Sequence, residues 1–265
     1  MQSLKRISMG IFLLSFALYA VAFNKVNSLP SSAEISADLS KEPEQIMDPQ
    51  EPFVLNYRND RYIIEPVATY DISGLIVTHN DITAFDDIYH SENDVDVRDL
   101  CLVWGSNVKD DVHLGAHYWS EPWACHYQPK SWQEARRFND TKLSNSHLLV
   151  ASERIRRQLL SLHPGDQVQL RGWLINYRDG DGNLIRNSSL SRRDTGNGAC
   201  ETMFVEELNV LGRYRPGWWK IRGVTAKVAL FSLLAFIATA LYQPLHRHRK
   251  EKEELAARLY EVSTS

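Results

Sequence analysis

Apolar residues form two kinds of run along this chain: long uncharged ones near its ends and short alternating ones between them. Ile7 to Phe23 carries no charge, and Val228 to Leu241 is apolar apart from Ser232 and Thr239. A helix that crosses a bilayer needs about twenty such residues. The second run reaches that length only by taking in Ile221 to Lys227, with Lys227 long enough to snorkel toward the headgroups. The pattern predicts an N-terminal transmembrane anchor or signal peptide over residues 1–24 and a transmembrane helix over 224–245. Ala20-Val21-Ala22 has the small-x-small form of a signal-peptidase site, which keeps both readings of the first run open. Lys5 and Arg6 precede the first run and His246-Arg247-His248-Arg249-Lys250 follow the second. Positive flanks stay on the cytoplasmic side, so both termini are expected inside if the first segment is uncleaved. Trp218, Trp219, Lys220 and Lys227 are expected at the membrane interface, the first three in a juxtamembrane segment over 213–223, with 246–265 as a cytoplasmic tail.

Between the two runs the pattern changes. Residues 25–52 are rich in Ser, Glu, Asp and Pro without apolar periodicity and read as a flexible linker. Strand patterns follow at 61–67, 70–78, 99–105, 118–128, 167–177 and 201–211. A loop containing Leu143 to His147 leads to a helix with Ser152 as N-cap and Ile155, Leu159, Leu160 and Leu162 on its apolar face, closed by Pro164-Gly165-Asp166. From residue 70 on, the order is strand, strand, strand, helix, strand, strand. That order predicts a mostly β (α+β) domain over 53–212, resembling an OB-like antiparallel β-barrel with one helix, with Gly172 at a sharp bend. A generic antiparallel α+β domain is the alternative.

Charge is unevenly spread. Residues 31–100 hold sixteen Asp or Glu against four Lys or Arg, and residues 130–193 hold twelve Lys or Arg against six Asp or Glu. The basic residues are scattered over a helix and two strands, whereas nucleic-acid binding needs a concentrated basic face. The three cysteines, Cys101, Cys125 and Cys200, all lie in the region expected outside the cytoplasm, where one disulfide can form. Cys101 sits in the apolar run Leu100-Cys101-Leu102-Val103-Trp104 and reads as a buried thiol, which leaves Cys125 and Cys200 as the expected pair.

Asp71-Ile72-Ser73-Gly74-Leu75, Leu100 to Asn107, Leu143 to Leu149 and Asp194 to Thr202 together resemble an uncharacterised family of bacterial membrane-anchored envelope proteins. The resemblance implies a bacterial inner-membrane location with the main domain periplasmic. It supplies no catalytic residues.

Candidate chemistry is sparse. Asp194-Thr195-Gly196 has the letters of an aspartic-protease loop but reads as a turn before Cys200. His113, His117 and His126 have zinc-like spacing, with Gly115 between the first two and no helix signature. Asp179, Asp181 and Asn183 copy the start of a calcium loop, yet Leu184 and Leu190 stand where Gly and Glu are required. Ser144 and His147 could supply a nucleophile and a base, or simply shape the path into the helix. Trp119, Trp123, Tyr127, Trp132 and Trp173 form either hairpin and core packing or a stacking surface for a glycan or a protein. The expected function is a membrane-anchored periplasmic binding or scaffolding protein of an envelope complex, with no catalytic activity and no cofactor. Its partners would be the lipid bilayer and an envelope protein or glycan, with no nucleic acid. The alternatives are an envelope hydrolase using a Ser/His or His-metal site, and a nucleic-acid OB module if the domain faces the cytoplasm.

Overall fold

A computed structural model of the chain describes residues 2–80, 82, 95–194 and 199–264. It is mixed α+β, with a large sheet and an apolar helix near each terminus. The chain divides into two units, residues 28–214 and the terminal segments 1–27 with 215–265.

The chain begins with α1 (Gln2–Val26). In the 28–214 unit, β1 (Glu44–Ile46), β2 (Phe53–Tyr57), β3 (Asp60–Asn80) and β4 (Asp96–Val103) come first. A hairpin of β5 (Ala116–Glu121) and β6 (Ala124–Pro129) and a short α2 (Trp132–Arg137) precede β7 (Leu143–Leu149). Then come α3 (Glu153–Leu160), β8 (Gln167–Asp179), β9 (Leu184–Arg186) and β10 (Glu201–Gly212). One edge of β3 carries β8 along residues 62–75, and the other carries β2, β1 and β4 in turn. β4 pairs antiparallel with β7, β7 pairs parallel with β10, and β10 pairs antiparallel with β8.

The principal core lies between these strands. Ile72, Leu100, Leu102, Leu148, Leu170 and Val205 meet Ile155 and Leu159 of α3, whose apolar face was readable from its spacing. Arg98 closes the far end of that helix by donating to the Leu159 and Leu162 carbonyls at 3.2 and 2.8 Å, sharing the first with the Leu162 N–H. Gly172 stands opposite Val205 beside a register shift, and a Cβ there would strike the Phe204 carbonyl. The glycine at which a bend was expected thus stands at a strand irregularity and a close backbone approach.

Several sequence expectations are corrected. Segments 61–67 and 70–78 form one strand, β3, which absorbs its irregularity as a register shift between Pro66 and Ala68. Segment 118–128 is two strands, because Pro122 and Trp123 turn the chain, Trp123 at φ 72°. Leu143 to His147 is a buried strand rather than a loop; its polar side chains pair with one another, so the polarity misled. Residues 28–52 are not a flexible linker. Leu39 is fully buried in a second core with Leu75, Val77, Cys101 and Val103, and the Pro30 carbonyl meets His113 Nε2 at 2.8 Å. Leu39, the partly buried Leu29 and Ile35, and hydrogen bonds to Asp111, His113 and Gln167 hold this strap, scattered contacts that a search for periodicity overlooks.

The terminal segments pack as an antiparallel helix pair. α4 (Pro216–Thr264) runs unbroken through the expected juxtamembrane, membrane and tail pieces. Arg215 donates to the Lys25 carbonyl at 2.6 Å, Arg222 lies 5.3 Å over Phe23, and Lys5 lies 5.4 Å over Phe236. Ser3–Val26 and Pro216–Tyr242 are long and apolar enough to cross a membrane by length and composition. Leu14 and Phe231 are 65% and 69% exposed, apolar surface of a kind that water disfavours and lipid does not. Of the expected interface residues, Lys220 and Lys227 are exposed, Trp218 and Trp219 half-buried, and Arg222 stacks over Trp219 at 5.1 Å.

Candidate functional site

Strand alternation sends side chains of β4, β7 and β10 to two faces. Ser144, Ser146 and Leu148 point to the side of the principal core, while Asn145 and His147 point to the other. The register then builds a row on that other face: Asp99 opposite His147, and His147 opposite Thr202. Cys101 stands opposite Asn145 in the neighbouring row, and Cys200 sits just ahead of β10.

His147 is fully buried and Asp99 nearly so. The imidazole donates from Nδ1 to Asp99 Oδ1 at 2.6 Å, and its buried Nε2 has no hydrogen-bond partner among the described residues. The half-buried Cys200 thiol lies beside the same imidazole. Asn145 Nδ2 donates toward Cys200 Sγ at 3.6 Å and to the Trp123 carbonyl at 3.2 Å, and the thiol itself donates toward that carbonyl at 3.7 Å. The Trp123 ring covers His147 at 6.0 Å between centroids, and the Arg186 guanidinium lies 4.3 Å over the Trp123 ring. Burial alone would pull the imidazole's pKa down. The Asp99 hydrogen bond, the Cys200 contact and the Asp99 charge outweigh burial and bring it to about 9. The ring is therefore an imidazolium at neutral pH.

A second carboxylate extends the cluster. Asp96 is buried, and Tyr177 donates its hydroxyl to Asp96 Oδ2 at 3.0 Å. Burial and the nearby Asp99 charge both raise the Asp96 pKa, and burial next to Asp96 raises that of Tyr177. On the opposite face a separate polar group forms. Arg192 pairs with Glu201, reaches the Tyr70 hydroxyl and lies 5.0 and 5.2 Å over the Tyr70 and Trp104 rings. Burial pushes the Glu201 carboxyl up to about 7 despite the Arg192 charge.

Among the sequence candidates, His147 is in the centre and Ser144 is not. The serine shares a strand with the histidine at odd spacing, faces the other way, and meets Ser146 at 3.0 Å. The expected Cys125–Cys200 bridge is replaced by Cys101–Cys125, because Cys101 points to the face on which β6 packs; Cys200 stays a thiol.

The three metal candidates do not converge. His113 is buried between the Pro30 and Asn107 carbonyls, His117 is exposed, and His126 stacks on Trp119 at 5.2 Å, with Glu121 at 3.4 Å. Among the described residues no group of three or more His, Cys, Asp or Glu could hold a metal ion. Asp179 spends its carboxylate on the backbone N–H groups of Asp181 and Asn183, as a hairpin turn requires. Thr195 and Gly196 lie outside the described residues; Asp194 accepts from Ser189 Oγ at 2.5 Å.

The aromatic set does not form one platform. Trp123 roofs His147, Tyr127 stacks on Phe138 at 4.4 Å, Trp173 packs with Phe53 and Phe204, Trp119 pairs with His126, and Trp132 is 84% exposed. Sequence reasoning missed Asp99 and Arg186. The signal for Asp99 was a carboxylate immediately before a five-residue apolar run, a position where burial demands a partner. Compared with protein-family models, curated proteins and solved structures, the chain matches none.

Proposed function

We propose that this chain is a doubly anchored protein of a bacterial inner membrane whose 28–214 unit is an OB-like barrel in the periplasm. Its role is to bind an envelope protein or glycan on the face of β4 and β7. The pairing circuit β3–β4–β7–β10–β8–β3, with β7–β10 parallel and α3 between β7 and β8, supports the barrel. OB barrels take ligands on the face of their second and third strands, helped by the loop between the fourth and fifth. Here those strands are β4 and β7, and that loop carries Arg186 and leads to Cys200.

One observation carries the reading. Asp99, Asn145 and His147 lie buried on this face under a tryptophan and an arginine. Burying such groups costs stability unless they are paired, and apolar residues would pack there at lower cost. A polar centre that supports a ligand-facing Trp123 and Arg186 explains their presence. The Cys101–Cys125 bridge suits an oxidising compartment, and the basic flanks of the terminal helices support cytoplasmic ends.

A photo-crosslinking residue in place of Trp123, in the full chain in its native envelope, tests the ligand face. An adduct lost on Arg186→Ala is expected; no adduct at this position overturns it. Protease added to spheroplasts should digest the 28–214 unit and spare a tag on the C-terminus. Protection of the unit would put the domain in the cytoplasm and reopen nucleic acid as its ligand.

A further inference from the structure

We infer that Cys200, His147 and Asp99 form a nucleophilic cysteine centre that cleaves an acyl bond of the ligand held on this face. The inference rests on the proposed ligand face for the placement of substrate. Its own support is the geometry of the three side chains.

A nucleophile, a base and a group that orients the base define such a centre. Asp99 holds Nδ1 at 2.6 Å and fixes the ring, so Nε2 is the nitrogen left for chemistry. That Nε2 is fully buried and makes no close hydrogen bond among the described residues, and the Cys200 contact is the interaction left to it, an expensive arrangement in a site with no further use for it. The sulfur is the accessible member, half-buried at the mouth while its two partners are sealed below. Asn145 supplies a third element: its amide, 3.6 Å from Sγ, is placed to donate to an oxygen that gains charge next to the sulfur. Positive charge on the imidazole beside the sulfur is the setting in which cysteines act as nucleophiles. The other two cysteines are bonded to each other, so Cys200 is the thiol that remains.

The chemistry balances with water as co-reactant. Cys200 Sγ attacks the carbonyl carbon of an ester, thioester or amide. The S–C bond forms, the bond from carbon to the leaving group breaks, and His147 Nε2 passes its proton to that group. Water then attacks the thioester, His147 takes its proton, the S–C bond breaks, and a carboxylic acid leaves. Asp99 is a positioning residue, since it acts through the imidazole. Arg186 at the mouth favours a substrate with a negative charge near the scissile bond.

The test uses the full chain in isolated membranes without reductant. Iodoacetamide measures the rate at which Cys200 is alkylated from pH 5.5 to 9, and p-nitrophenyl acetate measures acyl transfer to it, both read by peptide mass mapping. The wild-type profile is expected to be flatter than the roughly tenfold rise per pH unit of a free thiol below its ordinary pKa. His147→Gln should slow alkylation near neutral pH by about a hundredfold. Asp99→Asn should slow it less and change the pH profile. Acetyl should appear on the Cys200 peptide in wild type and be absent from Cys200→Ser.

A wild-type profile like that of a free thiol, or no acetyl on Cys200, overturns the inference. The same map reports whether Cys101–Cys125 is intact, so a misfolded His147 variant is recognised, and the wild-type profile then decides alone. A crosslink at position 123 from a chain whose Cys200 behaves as a free thiol would leave binding standing and remove the centre. A reactive Cys200 without that crosslink would do the reverse.

Discussion

Raising the pH should weaken the 28–214 unit through its buried polar groups, His147 foremost. In the folded chain its imidazole keeps a proton up to about pH 9, whereas an unfolded histidine releases it near 6.5. The folded state therefore binds more protons across that interval. The associated stability is complete below about pH 6.5 and is lost as pH rises through about 9. At about 1.4 kcal/mol per pH unit, the interval corresponds to about 3 kcal/mol. Glu201 acts in the same direction over an earlier window: folded, it keeps a proton to about pH 7, against 4.5 for the free carboxyl. The Glu201 and His147 windows barely overlap, and Asp96, raised by burial and the Asp99 charge, adds to the fall in the same direction. Tyr70 and Tyr177 are held above their ordinary range and act only beyond about pH 10. Urea unfolding of the detergent-solubilised chain, followed by tryptophan fluorescence at half-unit steps of pH, reads the effect as a falling midpoint. Asp99→Asn should flatten the curve from pH 7 to 9, since the Asp99 hydrogen bond and charge keep the proton on the ring. A wild-type midpoint that is level or rising over that range would refute the reasoning.

Three further outcomes follow from packing. Leu39→Ala should cost about 2–5 kcal/mol, the range for a buried leucine, and expose residues 28–52 to limited protease; a change under 0.5 kcal/mol would mean the strap is not part of the core. Gly172→Ala should destabilise by more than the same change at Gly182, because its Cβ meets the Phe204 carbonyl while Gly182 has open space; equal losses in thermal melts would contradict this. Cys101→Ser with Cys125→Ser should lower stability by about 3 kcal/mol for a loop closed over 24 residues and raise the mobility of Trp123, read by fluorescence anisotropy.

The order of elements was accessible from alternation and turn residues because those features act locally. The span of β8 and the α3 face each depend on neighbours within a few positions. The strap, the β5–β6 hairpin and the strand nature of Leu143 to His147 were hidden for the opposite reason. Asp99 and His147 are 48 residues apart, and a polar strand is stable only because a distant partner is buried with it. Sequence alone ranked Ser144 beside His147 as a pair, but period two puts residues at odd spacing on opposite faces, and the ring's contact is with the sulfur 53 positions later. The cysteine pairing failed similarly: an apolar run marked Cys101 as buried, yet a buried cysteine can also be a bonded one.

The Cys101–Cys125 bridge ties the hairpin that carries Trp123 to the strand that carries Asp99. The roof and the floor of one small chamber thus share a covalent fastening, two residues from Trp123 and two from Asp99. Ordinary laboratory reductant, added to protect a free thiol, would cut that fastening and convert one thiol into three. A preparation handled that way is a different molecule, its chamber unlatched and its Cys200 competing with two new sulfurs. Redox history becomes an experimental variable on a par with pH and temperature.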